Sequence, residues 1–425
     1  MHVKTLILGA GVTGLSVGYH LEKAGQKDYL ILEKEKEPGG LCRSIYKNGF
    51  TFDYSGHLLH LHTPYGKKLV RQLLPGNLLR KPRHAWIYTG QARVPFPFQA
   101  NLYALPTVIR ESCVNGLLSA KRTYKIPPKN FEQWCLCSFG QGIYQTFLRP
   151  YNTKLWGRHP RELTCEWCGS FIPVPSITQI RKSATQKSTQ RWGYNASFYY
   201  PKQGGCGALV QALASRISRL KTNSTVTQID LKNKMVCTGT QTISFDYLVN
   251  TLPLPVFLTL LSSQSHILSQ KATLLSAQAV TVYHLALRGK PKSFSWIYCP
   301  DEKDPFYRVG LQSGFSSHNA PKGCYSLYIE LPGKVRPGIK QERQIQQALL
   351  QKGIISEYDE KLFSFWQILP QAYVVYDKHR TPAVQVILRS LAKQNCFCAG
   401  RYGSWEYSFI ERSLLQGRDI AKKIV

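Results

Sequence analysis

The chain opens on a short, mostly apolar run from Val3 to Leu8, followed at once by glycine. Such a run suits a strand buried on both faces, as in a parallel sheet. A helical pattern follows from Leu15 to Ala24, and a second apolar run, Tyr29 to Leu32, ends at Glu33. Further along, Thr225 to Ile229 reads as a strand and Phe245 to Pro253 as its return strand. Cys396 to Ala399 reads as a buried strand ending in Gly400, and Ser413 to Ile424 as a terminal helix. The best candidate for a membrane span, Tyr247 to Leu261, is broken by Asn250, Pro253 and Pro255, so no transmembrane helix is expected.

Between the first strand and its helix lies Gly9-Ala-Gly11-Val-Thr-Gly14. Strand, glycine turn, helix, strand and acid in this order make a dinucleotide-binding unit. Gly9 permits the tight turn, Gly11 lets a pyrophosphate approach the backbone, and Gly14 lets the helix pack on the strand. The helix N-terminus then turns its free N–H groups toward the phosphates. Glu33 is placed to accept hydrogen bonds from a ribose diol.

Composition narrows the partners. A length of 425 residues suggests two or three domains, and 43% hydrophobic content excludes a disordered chain. The formal charge of +31 admits nucleic acid, an anionic membrane surface or a phosphate-bearing ligand. The Lys and Arg are scattered, without a like-charge block or a basic tail, which argues against nucleic acid. Twelve cysteines without a signal peptide predict free thiols in a reducing, cytoplasmic setting. Cys165-Glu-Trp-Cys168 has the spacing of half a zinc site, but Cys135/Cys137 and Cys396/Cys398 are each separated by one residue, so no metal is expected.

Gly39, Gly40 and Arg43 follow soon after the ribose acid, in Glu33-Lys-Glu-Lys-Glu-Pro-Gly39-Gly40-Leu-Cys-Arg43-Ser44. This extension resembles the FAD-binding family of glutathione-reductase type, in its amine-oxidase-like branch. The resemblance implies an α/β fold whose Rossmann-like FAD domain is discontinuous, with an inserted helical domain and a mixed or antiparallel-sheet substrate domain. Residues 1–75, 199–262 and 379–425 would form the FAD-binding parts, 76–198 the mainly helical part and 263–378 the antiparallel-sheet part. Gly39, Gly40 and Arg43 would lie along the FAD diphosphate, and the Val226 strand around the adenine. Gly400, Arg401 and the start of the Ser413 helix would approach the flavin, where a helix dipole stabilises the anionic reduced ring.

Several strings are more specific. Val94-Pro-Phe96-Pro-Phe98-Gln99, Leu148-Arg-Pro-Tyr-Asn152-Thr-Lys-Leu-Trp156, Trp192-Gly-Tyr-Asn195, Trp296-Ile-Tyr298 through Arg308, and Gly400-Arg401-Tyr-Gly-Ser-Trp-Glu-Tyr407 resemble UDP-galactopyranose mutases, particularly the eukaryotic-type branch. The likeness implies that Phe96, Phe98 and Gln99 hold a uracil, and that Asn152, Trp156, Asn195, Trp296 and Tyr298 make further nucleotide and sugar contacts. It implies that Arg308 and Arg401 clamp the substrate diphosphate with help from Tyr373 and Tyr407. Gly56 and His57, in Asp53-Tyr-Ser-Gly56-His57, would lie beside the flavin. On the pattern alone, Phe98, Trp156 and Trp296 also suit core aromatics, and His57 a core histidine beside His60 and His62.

In that family, reduced FAD attacks the anomeric carbon of a UDP-sugar through its N5 and interconverts pyranose and furanose rings. Arg308, Arg401 and His57 would then serve catalysis, with NADPH or NADH as candidate reductant and peripheral membrane contact as a candidate use of the basic surface. The chain departs from the pattern at three places, one of them Gln371-Ala-Tyr373-Val, where the family has His-Gly-Tyr-Pro. Phe171 stands where the family has an Arg after Trp-x-Gly, and Phe409-Ile-Glu-Arg412 replaces a more polar segment before the last helix. Two other readings therefore stay open: an oxidoreductase of amine-oxidase or protoporphyrinogen-oxidase type, and a non-catalytic nucleotide-sugar-binding flavoprotein.

Overall fold

The apolar runs of the N-terminus lie at the centre of a seven-stranded sheet. The structure, a computed structural model, describes residues 1–90, 92–123, 127–187, 192–239, 241–263 and 266–425. Strand His2–Leu8 pairs in parallel with Tyr29–Leu32 on one side and with Thr242–Asn250 on the other. Tyr29–Leu32 continues in parallel to the short strand Leu220–Lys221, and Thr242–Asn250 to Cys396–Cys398. Met235–Thr238 and Val226–Asp230 extend the edge antiparallel. Three separated stretches of chain thus build one α/β sheet, the discontinuous arrangement expected.

Helix Val12–Lys23 covers this sheet and packs on the terminal helix Ile410–Ile424. Their contact is close because Gly417 faces Ser16; a methyl group there would sit 2.5 Å from the Ser16 Cβ. The terminal helix begins at Ile410 rather than Ser413, and Ser413 already donates its N–H to the Phe409 carbonyl within the first turn. Strand Thr242–Asn250 stops short of Pro253, which instead opens the helix Leu254–Thr259.

The second sheet is mixed, in the order Glu360–Val374, Ala277–Arg288, Cys324–Pro332, Arg308–Leu311, Trp296–Tyr298, Ala85–Tyr88 and Arg93–Pro95. Trp296–Tyr298 and Ala85–Tyr88 are parallel; the other pairs are antiparallel. The last two strands come from the stretch expected to be mainly helical, whose helices include Phe131–Ile143 and Arg149–Trp156. No helix among the described residues is long and apolar enough to cross a membrane.

Alternation along the second sheet sets its working face. Tyr298 is opposite Arg308, and Arg308 is opposite Glu330, so the three stand in a row across neighbouring strands. Two residues along, Trp296, Gly310 and Tyr328 form the next row. Gly310 is needed there, since a methyl group would sit 2.0 Å from the Tyr328 ring.

Candidate active site

A cavity of about 1000 Å³ runs from the glycine turn of the first sheet to the working face of the second. At the first end, Gly9 adopts φ +94° and Gly14 packs so closely that a methyl group would lie 2.0 Å from the Gly9 carbonyl oxygen. Gly11, by contrast, faces the cavity, and a methyl group on it would meet nothing within 4 Å. Gly11 is also the N-cap of helix Val12–Lys23 and offers no side-chain cap, so the first-turn N–H groups remain open to a ligand. Glu33 lines the same end; its Oε2 accepts the Ala10 N–H at 2.8 Å and its Oε1 the Glu35 N–H at 3.0 Å. Those bonds fix the carboxylate and leave lone pairs for a diol.

Gly39 and Gly40, with φ of +130° and +56°, fold the second glycine pair against the first turn. The Gly39 N–H donates to the Ala10 carbonyl at 2.8 Å, and Arg43 Nε donates to the Gly40 carbonyl at 3.2 Å. The Arg43 guanidinium lies 5.1 Å above the Tyr54 ring, with both residues on the cavity wall. Val226 closes this end. Gly400, at φ +82°, Ile410 and Ser413 bring the start of the terminal helix to the cavity. A glycine cradle, open first-turn N–H groups, a fixed acid and a second helix start suit an extended dinucleotide, and FAD fits them.

Two arginines stand at the far end. Arg308 Nη2 donates to Glu330 Oε1 at 2.7 Å and to the Tyr373 hydroxyl at 3.3 Å. Arg401 donates from Nη1 to the Ser408 carbonyl at 2.8 Å and from Nη2 to the Ala372 carbonyl at 2.7 Å. Its guanidinium lies 5.5 Å from the Tyr373 ring and 5.0 Å from the Tyr407 ring. Tyr373 therefore joins the two arginines, one through its hydroxyl and one through its face. Both Nε groups are buried without partners, as is Glu330 Oε2. Burial opposes the charge on Arg308, yet Glu330 and the surrounding tyrosines hold its pKa well above the usual value.

His57 also lines the cavity, and its Nδ1 is buried without a partner. Burial, reinforced by the Arg401 charge and opposed by Glu330, lowers its pKa to about 4. It is a neutral imidazole at neutral pH. Gly56 beside it is required by space: a methyl group would meet the Tyr328 hydroxyl at 2.3 Å. Burial pushes Tyr373 up to about 12 and raises Tyr407 and Tyr298, so all three are neutral phenols.

The remaining expected residues gather beside the arginines, with one exception. Phe96 lies 5.1 Å from Tyr298, ring to ring. Gln99 Nε2 donates to the Pro173 carbonyl at 2.6 Å, and Asn152 Nδ2 to the Leu148 carbonyl at 2.7 Å. Trp156 and Trp296 line the cavity with their indole N–H groups unpaired. Phe98 is the exception. It is fully buried in the core, stacked 5.2 Å from Phe147, and does not reach the cavity.

Sequence reasoning missed three features. Glu330 holds Arg308 and also accepts the Ser55 hydroxyl; its one signal was a lone charged residue in a buried, mostly apolar strand. Arg83 stacks 4.4 Å over Phe96, and its Nη1 donates to Asn195 Oδ1, orienting that amide. Finally, Phe171 and Phe409, from two of the departures, meet on Tyr194 at 5.3 and 6.2 Å. Phe171 also lies 4.6 Å from Tyr407, so the four rings form a continuous aromatic wall.

Residues 12–425 match the family described as flavin containing amine oxidoreductase. The crystal structure of a reduced UDP-galactopyranose mutase superposes with a TM-score of 0.94 at 27% identity, covering 99% of this chain and 95% of that one. A protein from Exiguobacterium sp. 255-15, provisionally named a protoporphyrinogen oxidase, gives 0.75 at 16% identity over 99% and 98%, a likeness of fold alone. Among curated proteins, an inactive all-trans-retinol 13,14-reductase of Danio rerio is 36% identical over 52 residues, 12% of this chain and 8% of that protein. An uncharacterized protein in the nifH2 3' region of Methanothermococcus thermolithotrophicus is 44% identical over 57 residues, 13% of this chain and 54% of that protein. The chain thus matches about half the length of one of these relatives and a small part of the other.

Proposed function

The chain belongs to the flavin-containing amine oxidoreductase family, and from that premise we propose that it is a FAD-dependent UDP-sugar mutase interconverting pyranose and furanose forms, with UDP-galactose the first sugar to test. One observation carries the reading: Arg308 and Arg401 converge on Tyr373 at the end of a cavity that begins at the glycine cradle. Guanidinium groups bind phosphate oxygens through charge-assisted, directional hydrogen bonds, and such bonds strengthen in a water-poor cleft.

Gly11, Glu33, Gly39, Gly40, Arg43, Val226 and Gly400 would hold FAD, with the start of the Ile410–Ile424 helix at its ring. Bound there in its reduced form, FAD would offer a nucleophilic nitrogen toward the sugar. The protein's part is placement. Phe96, Gln99, Asn152 and Asn195 would grip the nucleotide, while Arg308, Arg401, Tyr373 and Tyr407 retain the departing diphosphate so that it can return. Neutral His57 would face the cofactor as a hydrogen-bonding group without adding charge. Trp156 and its aromatic neighbours exclude water from the sugar. In this reading residues 76–198 and 263–378 build most of the substrate site, and the other segments bind FAD, with Arg401 and Tyr407 reaching across from the last of them.

The aromatic wall of Phe171, Tyr194 and Phe409 favours a second reading, an oxidoreductase acting on a less polar substrate. Incubation with UDP-galactopyranose, with and without dithionite, separates the two. Furanose product only under reducing conditions supports the mutase. Reduction of the flavin by an amine or porphyrinogen substrate, without sugar conversion, rejects it.

A further inference from the structure

Helix Arg149–Trp156 carries Asn152 and Trp156 on the cavity wall, but Lys154 between them points elsewhere. Its ammonium shares its three N–H groups among four backbone carbonyls, those of Cys299 at 3.1 Å, Asp301 at 2.6 Å, Asp304 at 3.0 Å and Phe306 at 2.7 Å. All four belong to the loop that joins strand Trp296–Tyr298 to strand Arg308–Leu311. Its two ends are therefore Tyr298 and Arg308.

The loop supplies few partners of its own. Within it, the Asp304 N–H donates to the Asp301 carbonyl, and the Cys299 N–H closes onto Tyr307. Among the described residues no carboxylate lies within ion-pair distance of Lys154, so carbonyl dipoles make its direct contacts while Asp304 and Asp301 act on its charge from farther off. An ammonium removed from water needs such replacement, and four converging oxygens provide it. A second tie, Lys352 to Asp304 at 2.9 Å, holds the outer side of the same loop.

We propose that Lys154 is a positioning residue: by gathering the 299–306 carbonyls, its ammonium sets Tyr298 and Arg308 at their places opposite Asn152 and Trp156. Using UDP as the probe rests on the function proposed above; the state of the loop does not. The charged and titratable groups around the ammonium are Asp304, Cys299 and Asp301 from the loop, and Lys352 at the end of helix Ile339–Gln351. Burial, opposed by Asp304, Cys299 and Asp301, brings the Lys154 pKa down to about 8. The support is thus present at neutral pH and lost in mild alkali.

The test uses the FAD-loaded full chain and its K154M and K154R variants. Hydrogen exchange reads the loop, and calorimetric UDP titration reads the clamp. In K154M, exchange should quicken in the peptide spanning 298–308 and not elsewhere, and the UDP dissociation constant should rise about tenfold, the equivalent of one weakened charge-assisted contact. K154R should not rescue either readout, because a planar guanidinium cannot present its N–H groups to four converging carbonyls. Unchanged loop exchange in K154M, unchanged UDP affinity despite a loosened loop, or full rescue by K154R overturns the proposal. If the wild type binds no UDP, the functional reading fails, and loop exchange alone decides the role of Lys154. Should the variants not fold, the wild type serves. Its loop should lose protection, after correction for intrinsic exchange, between about pH 7 and pH 9; constant protection overturns the proposal.

Discussion

Arg308 and Arg401, the proposed clamp, are held by opposite means. Arg308 leans on a carboxylate and a phenol, whereas Arg401 is pinned by two backbone carbonyls and stacked on two rings. In each the Nε–H is buried without a protein partner, a donor that a diphosphate could use. Arg308→Ala and Arg401→Ala should each weaken UDP binding about tenfold or more by calorimetry, through loss of a charge-assisted contact. Lysine at either position should restore little, since it lacks the fork. Equal affinity in wild type and both alanine variants would remove the clamp assignment. The strings that contain them single out both arginines, and both line the cavity. Glu330 was not legible in this way, because its pairing with Arg308 is a matter of strand register, which no local pattern encodes. Phe98 shows the reverse error: it shares a string with Phe96, but the 3₁₀ turn Phe98–Ala100 directs it at Phe147 instead of the cavity.

Elements carry the site into place, and the terminal helix shows how. Its first turn includes Glu411, a residue 1% exposed. That carboxylate accepts the His62 and Thr63 N–H groups, each at 2.9 Å, and the Thr63 hydroxyl at 2.8 Å. It ties the helix start to the segment that follows His57. Thr63 in turn caps helix Pro64–Leu73 by accepting the Gly66 N–H. The helix begins earlier than its apolar pattern suggested because this buried acid belongs to the packing. Glu411→Ala should cost about 2–4 kcal/mol, since three donors lose their acceptor in a dry setting. Denaturant unfolding of the holoprotein measures it, and a loss under about 0.5 kcal/mol would show the tie to be idle.

For the whole molecule, buried histidines predict how stability follows pH. Burial, with the Arg401 charge, lowers His57 to about 4; burial, with His62, lowers His60 to about 4; and burial lowers His284 to about 3. The unfolded chain takes up protons near pH 6.5 while the folded chain does not, so stability is fully present above 6.5 and is lost as pH falls toward 4. At pH 5 each histidine should remove about 2 kcal/mol, and Tm of the holoprotein should drop by several degrees from its value at pH 7. A flat Tm over that range would show that the three sites open to water. At this scale the limits of sequence also become plain. The sequence alone determined the glycine turn, the acid Glu33 after the second strand, the second glycine pair and the likeness to flavoproteins. Those demands are local: a positive φ, a fixed spacing or a helix start can be met only by certain residues in a short stretch. The tertiary structure alone decided that Glu330 partners Arg308, that Phe171 and Phe409 meet on Tyr194, and that Lys154 gathers the 299–306 loop. Such contacts join residues far apart in the chain, and strand register and packing, not neighbouring residues, bring them together.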